Sequence, residues 1–181
     1  MFDKLAKKIS NSPGPSAVSH KYELKDLGAD AIKPVLEQKN AVQDLGTLGG
    51  TQSIAYGVND AGQAVGFSQT TDNKAIHAFL YTEGKLQDLG TLKGDTSSFA
   101  YGINNQGDVV GSSNTSSLTG GTSRAFLYSQ GQMYDLNHLV KKQGEVELTE
   151  ATSINDQGEI GAVGLLNGQQ HAFLITPMSK K

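Results

Sequence analysis

From residue 41 onward, apolar and polar positions alternate in runs of four to seven residues, and Gly or Asn interrupts each run. A period of two places one face of each run against a core, so these runs predict strands; helical spacing is absent from them. The interruptions predict the connections. Asn59-Asp-Ala-Gly62, Asn104-Asn-Gln-Gly107 and Asn155-Asp-Gln-Gly158 each separate two strand-like runs, with Asn suited to opening a turn and Gly supplying positive φ. Thr82-Glu-Gly-Lys85, Ser129-Gln-Gly-Gln132 and Asn167-Gly168 predict further hairpin turns.

The runs recur as a unit. The first copy holds Val42-Gln-Asp-Leu-Gly-Thr-Leu-Gly-Gly, Ile54-Ala-Tyr-Gly-Val-Asn-Asp-Ala-Gly-Gln-Ala-Val-Gly and His77-Ala-Phe-Leu-Tyr. The second holds Leu86-Gln-Asp-Leu-Gly-Thr-Leu, Phe99-Ala-Tyr-Gly-Ile-Asn-Asn-Gln-Gly-Asp-Val-Val-Gly and Arg124-Ala-Phe-Leu-Tyr. A third, more divergent copy holds Met133-Tyr-Asp-Leu, Ala151-Thr-Ser-Ile-Asn-Asp-Gln-Gly-Glu-Ile-Gly and His171-Ala-Phe-Leu-Ile, as capping at a terminal repeat would produce. Tyr22-Glu-Leu-Lys-Asp-Leu-Gly matches the opening motif alone and reads as a lone strand, 22–28.

The expected fold is therefore all-β, built of three repeats of about 45 residues, each a four-stranded antiparallel meander like a propeller blade. Two units fall at 53–92 and 97–139. The third is one strand short, and either Val42–Leu48 or Tyr22–Leu27 is a candidate to complete it. A minimal propeller, a pseudo-threefold β-prism or trefoil-like barrel, and an open three-blade stack all fit the pattern. Phe79, Phe126 and Phe173, with Leu80, Leu127 and Leu174, are expected to form equivalent core layers.

The motif series resembles the HAF family of bacterial repeat proteins over roughly residues 41–176. That resemblance implies a repeat architecture, and members of the family are mostly described as extracellular repeat proteins without a known activity.

Composition narrows the chemistry. With 22 Gly but 4 Pro, the chain suits tight turns, and its lack of Cys excludes disulfides and thiolate chemistry. Residues 41–177 carry thirteen acids against five Lys and one Arg, a net of −7, which argues against nucleic acid as a partner. No motif of nucleophilic, phosphate-binding or zinc-dependent catalysis occurs, so no enzyme, no cofactor and no catalytic residue is expected. His77 and His171 read as structural or surface side chains, because the second repeat has Arg124 in their place and a guanidinium is not a metal ligand. The Asn-Asp turns read as turn chemistry and not as calcium loops, and Asp44, Asp88 and Asp135 as partners of local backbone. Asn114-Thr-Ser reads as a chance sequon.

Residues 1–40 differ, with seven Lys against five acids. Phe2, Leu5, Ala6 and Ile9 fall on one helical stripe opposed by Lys4, Lys7 and Lys8, predicting a short amphipathic helix over 2–9. A Pro/Ser tether follows, then strand 22–28 and one helical turn from Pro34 to Lys39. So short a helix must dock to persist, making Phe2, Lys4, Leu5, Lys7, Lys8 and Ile9 candidate partner-binding residues. The expected organisation is an arm (1–40), a β-repeat domain (41–177) and a basic tail (178–181).

The functional expectation is a binding or assembly module that docks through arm and body into a larger protein complex. Linker polypeptides of assemblies such as the phycobilisome antenna combine these parts in the same way. Peripheral contact with an anionic membrane through the arm is a further use of the same stripe. The alternatives are a surface adhesion or carbohydrate-binding module, and an enzyme on a β scaffold. No secretory or membrane-spanning stretch of sequence occurs, so the expected location is intracellular, or extracellular if the chain is a processed product.

Overall fold

The computed structural model describes residues 35–38, 41–115, 121–141 and 144–178. The strands form successive antiparallel meanders. Blade 1 comprises β3 (Gly49–Val58), β4 (Ala64–Thr70), β5 (Ile76–Thr82) and β6 (Lys85–Gly90). Blade 2 comprises β7 (Ser97–Ile103), β8 (Val109–Asn114), β9 (Ser123–Ser129) and β10 (Gln132–Asp135). Blade 3 has three strands among the described residues, β11 (Val146–Ile154), β12 (Ile160–Leu166) and β13 (Gln169–Ile175). Ahead of them stands a hairpin of β1 (Val35–Gln38) and β2 (Ala41–Asp44). A four-residue helix, α1 (Leu136–Leu139), and a 3₁₀ turn, Thr71–Asn73, are the helical elements among the described residues.

The all-β meanders are as the sequence predicts, and the turns explain why. Glu83-Gly84, Gln130-Gly131 and Asn167-Gly168 all have positive φ at both positions, the type I′ geometry that matches strand twist. The helical turn expected at Pro34–Lys39 is not formed. Val35–Gln38 is strand β1, paired with β2 from Val35↔Asp44 to Gln38↔Ala41. The cross-strand ladder to β2 outweighs the weak preference of one isolated turn. Residues 2–9 and 22–28 lie outside the described residues.

Blades stack through their faces. Val65, Ala78 and Leu80 of blade 1 meet Val109, Phe126 and Tyr128 of blade 2 in one buried cluster. Val110 and Ala125 of blade 2 meet Leu148, Ala151, Ile160 and Ala162 of blade 3 in another. The first strands run so close that a Cβ on Gly57 would lie 3.1 Å from the Tyr101 carbonyl oxygen, and one on Gly102 3.1 Å from the Ser153 Cα. Strand order does not return on itself among the described residues, so the sheets do not close into a barrel.

Two hydrogen-bonded straps fix this stacking. Asp44 accepts from the Gly46 amide at 2.9 Å, Asp88 from Gly90 at 2.7 Å and Asp135 from Asn137 at 2.8 Å, so each Asp-Leu motif leaves its strand through the same turn. The leucine then enters the next interface: Leu89 lies between blades 1 and 2, and Leu136 between blades 2 and 3. The second strap runs along the Asn turns. Asn59, Asn104 and Asn155 each accept two amides of their own turn through Oδ1. Asn59 Nδ2 then donates to the Asn104 carbonyl at 3.0 Å, and Asn104 Nδ2 to that of Asn155 at 3.3 Å.

Candidate docking end of the blade stack

The same third-strand motif meets three fates along the stack. Ala78 and Ala125 are fully buried, yet Ala172 is exposed. Leu80 is 7% exposed and Leu127 half-buried, whereas Leu174 is 71% exposed. Leu174 was expected in the core. It lies outside because no described blade covers that face, while Phe173, one position earlier and pointing the opposite way, packs against the interface with blade 2.

Blade 3 is also altered where a successor would sit. The pairs Gly57↔Val65 and Gly102↔Val110 become Ser153↔Gly161. The glycine that admits a neighbouring strand is replaced by a side chain, and the valine that fills the interface is lost. A regular fourth blade therefore has neither room nor a matching knob. The end face instead offers Thr152, Ser153, Ala172 and Leu174, all exposed.

The edge of β13 is equally distinct. In blade 1, His77 Nδ1 lies 2.9 Å from Asp88 of the fourth strand; in blade 2, Arg124 Nη1 lies 3.1 Å from Asp135. Blade 3 lacks a fourth strand among the described residues, and His171 is exposed at the matching position. Burial raises the Asp88 pKa, but the His77 hydrogen bond, the Gly90 amide and the His77 charge together outweigh it and leave that carboxyl below its usual range.

Arg124 serves a second carboxylate that the sequence did not reveal. Asp95 has a fully buried side chain, and Arg124 Nη2 lies 2.9 Å from it, while also donating to the Lys93 carbonyl at 3.1 Å. The repeats explain the pairing: blade 1 has no acidic residue in the matching loop between Leu48 and Ser53, and it has His77 where blade 2 has Arg124. Buried carboxylate and guanidinium occur together.

A third surface is the row of Asn turns. Asn105 Nδ2 donates to Asp60 and to Asp156, both at 2.8 Å, beside a shallow cleft of about 320 Å³ lined by all three turns. These carboxylates hold neighbouring turns together through one amide, a role between turns that goes beyond the local turn chemistry expected from the sequence. No group of three or more His, Asp or Glu side chains among the described residues is placed to hold a metal ion. Between the first strands, Tyr101 stands 5.5 Å from the half-exposed Tyr56 ring. Burial pushes the Tyr101 hydroxyl pKa up despite a hydrogen bond with Ser112, and the nearby Glu150 carboxyl is raised by its own burial. The sequon residue Asn114 ends β8 with its side-chain carbonyl buried.

Serines are the other residues that sequence reasoning missed. Ser53 and Ser98 donate to the carbonyls of Gly46 and Gly90 at 2.7 and 2.5 Å, and Ser68 and Ser113 accept the amides of Leu48 and Leu92. All four are buried, tying each Asp-Leu-Gly-Thr-Leu strap to its blade. Their signal was repetition at fixed spacing inside apolar strands.

Fold and straps define a β-repeat protein of stacked meanders with an end that no described blade covers. The chain belongs to the family described as Protein of unknown function (DUF3466), whose model matches residues 16–176. This corrects the HAF assignment. Each motif behind that resemblance answers a local demand, an Asp-capped turn, an Asn turn or a buried third strand, so the motifs report the repeat geometry and not one family. No curated protein and no solved structure matches the chain. No helix among the described residues is long and apolar enough to cross a membrane, which leaves strand-built spans unaddressed.

Proposed function

We propose that this protein is a non-enzymatic binding and assembly module that docks into a larger protein complex through its basic arm and the uncovered end of its blade stack. One observation carries the reading: blade 3 exposes Leu174 and Ala172, the positions that blades 1 and 2 bury under a neighbour. The occupant is a protein of different shape from a blade, because Ser153 and Gly161 remove the fit for a regular repeat. The acidic body disfavours nucleic acid as that occupant. The arm adds a second attachment: Phe2, Leu5 and Ile9 contribute about 1.5–3 kcal/mol each when fully docked, before ordering entropy is subtracted.

Leu174→Lys tests this reading, because it places a charge on the end face without disturbing a buried contact. Native purification of the tagged protein is expected to recover a stoichiometric partner with the wild type. That partner is lost with Leu174→Lys, and is lost or weakened on deletion of residues 1–19, while both variants keep the wild-type melting temperature. An unchanged partner set in both variants overturns the proposal.

A further inference from the structure

We infer that residues 23–28 of a second copy of this chain add to the free edge of β13 as the fourth strand of blade 3. The inference concerns the edge hydrogen bonds of that blade, whereas the proposed function concerns its end face.

The described fourth strands share one register. The fourth strand of blade 1 pairs Phe79↔Asp88, Leu80↔Gln87 and Tyr81↔Leu86, and that of blade 2 pairs Phe126↔Asp135, Leu127↔Tyr134 and Tyr128↔Met133. The leading hairpin follows the same rule, with Val35↔Asp44, Leu36↔Gln43 and Glu37↔Val42. It is thus the outer half of a blade, and it sits one step ahead of blade 1: Gln43 donates to the Tyr81 hydroxyl as Gln87 does to that of Tyr128 at 2.9 Å. The described residues therefore contain four third strands, β1, β5, β9 and β13, but three fourth strands, β2, β6 and β10.

The sequence holds one more copy of the fourth-strand motif. Glu23-Leu-Lys-Asp-Leu-Gly28 aligns with Lys85-Leu-Gln-Asp-Leu-Gly90. In the shared register Asp26 falls opposite Phe173, Lys25 opposite Leu174 and Leu24 opposite Ile175. Asp26 then meets His171, the one member of the His77, Arg124 and His171 series without a fourth-strand carboxylate among the described residues. Addition of an extended segment to an open edge satisfies the unpaired backbone groups that make such an edge adhesive.

Reach decides which copy supplies the strand. Six residues, 29–34, link Gly28 to Val35, a span of at most about 25 Å when fully extended. From the leading hairpin to blade 3 is three blade steps; the first strands crowd together, but the segment must cross the outer edges, where packed sheets stand about 10 Å apart, giving about 30 Å. The tether of one molecule falls short of its own β13, so a neighbour donates the strand. Such head-to-tail pairing is heterologous and propagates or closes into a ring.

Because the chain has no cysteine, a disulfide reports the pairing cleanly. Thr176, which is exposed, falls opposite Glu23 as Thr82 does opposite Lys85. Differently tagged Glu23→Cys and Thr176→Cys chains are mixed under mild oxidation, with Glu23→Cys plus Gly84→Cys as the control pair. The expected result is a heterodisulfide at least ten times more abundant than the control, together with concentration-dependent association that weakens in Asp26→Lys. A heterodisulfide no more abundant than the control overturns the inference, as does a Glu23→Cys/Thr176→Cys double variant that closes only within single molecules. The assay contains no other protein, so its failure leaves the binding role untouched, and loss of a foreign partner leaves the cross-link intact.

Discussion

Replacing Arg124 with alanine is expected to destabilise the protein by about 3–5 kcal/mol, the cost of breaking a buried ion pair from one side. The Asp95 side chain is fully buried and its carboxylate oxygens have no hydrogen bond of good geometry among the described residues, so the guanidinium at 2.9 Å is its charge compensation. Asp135, 8% exposed at its side chain, loses a partner in the same step. The effect should be strongly non-additive. Asp95→Gly with Arg124→His removes the buried carboxylate together with its guanidinium and places the imidazole that blade 1 carries at His77, and this double variant is expected to recover most of the loss. Urea unfolding of the four species checks it; a loss below about 1 kcal/mol for Arg124→Ala contradicts the assigned role.

Gly111→Ala is expected to cost about 3 kcal/mol or more, or to prevent folding, despite adding a single methyl group to a strand. A Cβ there would lie 1.9 Å from the Phe99 carbonyl oxygen and 2.8 Å from the Phe126 ring, and the neighbouring strand cannot retreat because the faces of blade 2 are packed on both sides. Gly66 occupies the same place in blade 1, 1.9 Å from the Ile54 carbonyl oxygen. Blade 3 has Ala162 at this position and a further register shift between Leu148 and Glu150 in the strand opposite. Gly131→Ala is the control: its Cβ meets nothing within 4 Å, so the positive φ costs roughly 1–2 kcal/mol alone. Thermal melts of the two variants compare clash with strain; equal losses refute the close approach.

Much of this architecture is written in turns. Asn59, Asn104 and Asn155, with the paired residues 83–84, 130–131 and 167–168, are local signals, and local geometry is what a period-two pattern with Gly and Asn punctuation encodes. The interfaces are non-local and were harder to read. Gly57 and Gly102 look like any strand glycine until the next blade's backbone is beside them, and Asp95 looks like a loop acid until Arg124, 29 positions later, reaches it. Val42–Leu48 was offered as a strand to complete the third unit, whereas Ala41–Asp44 pairs with Val35–Gln38 in a leading hairpin. The ladder to β2 decides Val35–Gln38, and the lack of a described blade beyond blade 3 decides Leu174; neither is visible in the local pattern of residues.

Amide hydrogen exchange along the three homologous third strands tests the open stack most directly, measured at concentrations where the chain is monomeric. The account predicts that the amides of Ala78–Tyr81 and Ala125–Tyr128 exchange only on global unfolding, while the amides of β13 that point away from β12 exchange orders of magnitude faster. Equal protection of all three strands in the monomer would mean that the chain covers its own last blade, and would contradict the account.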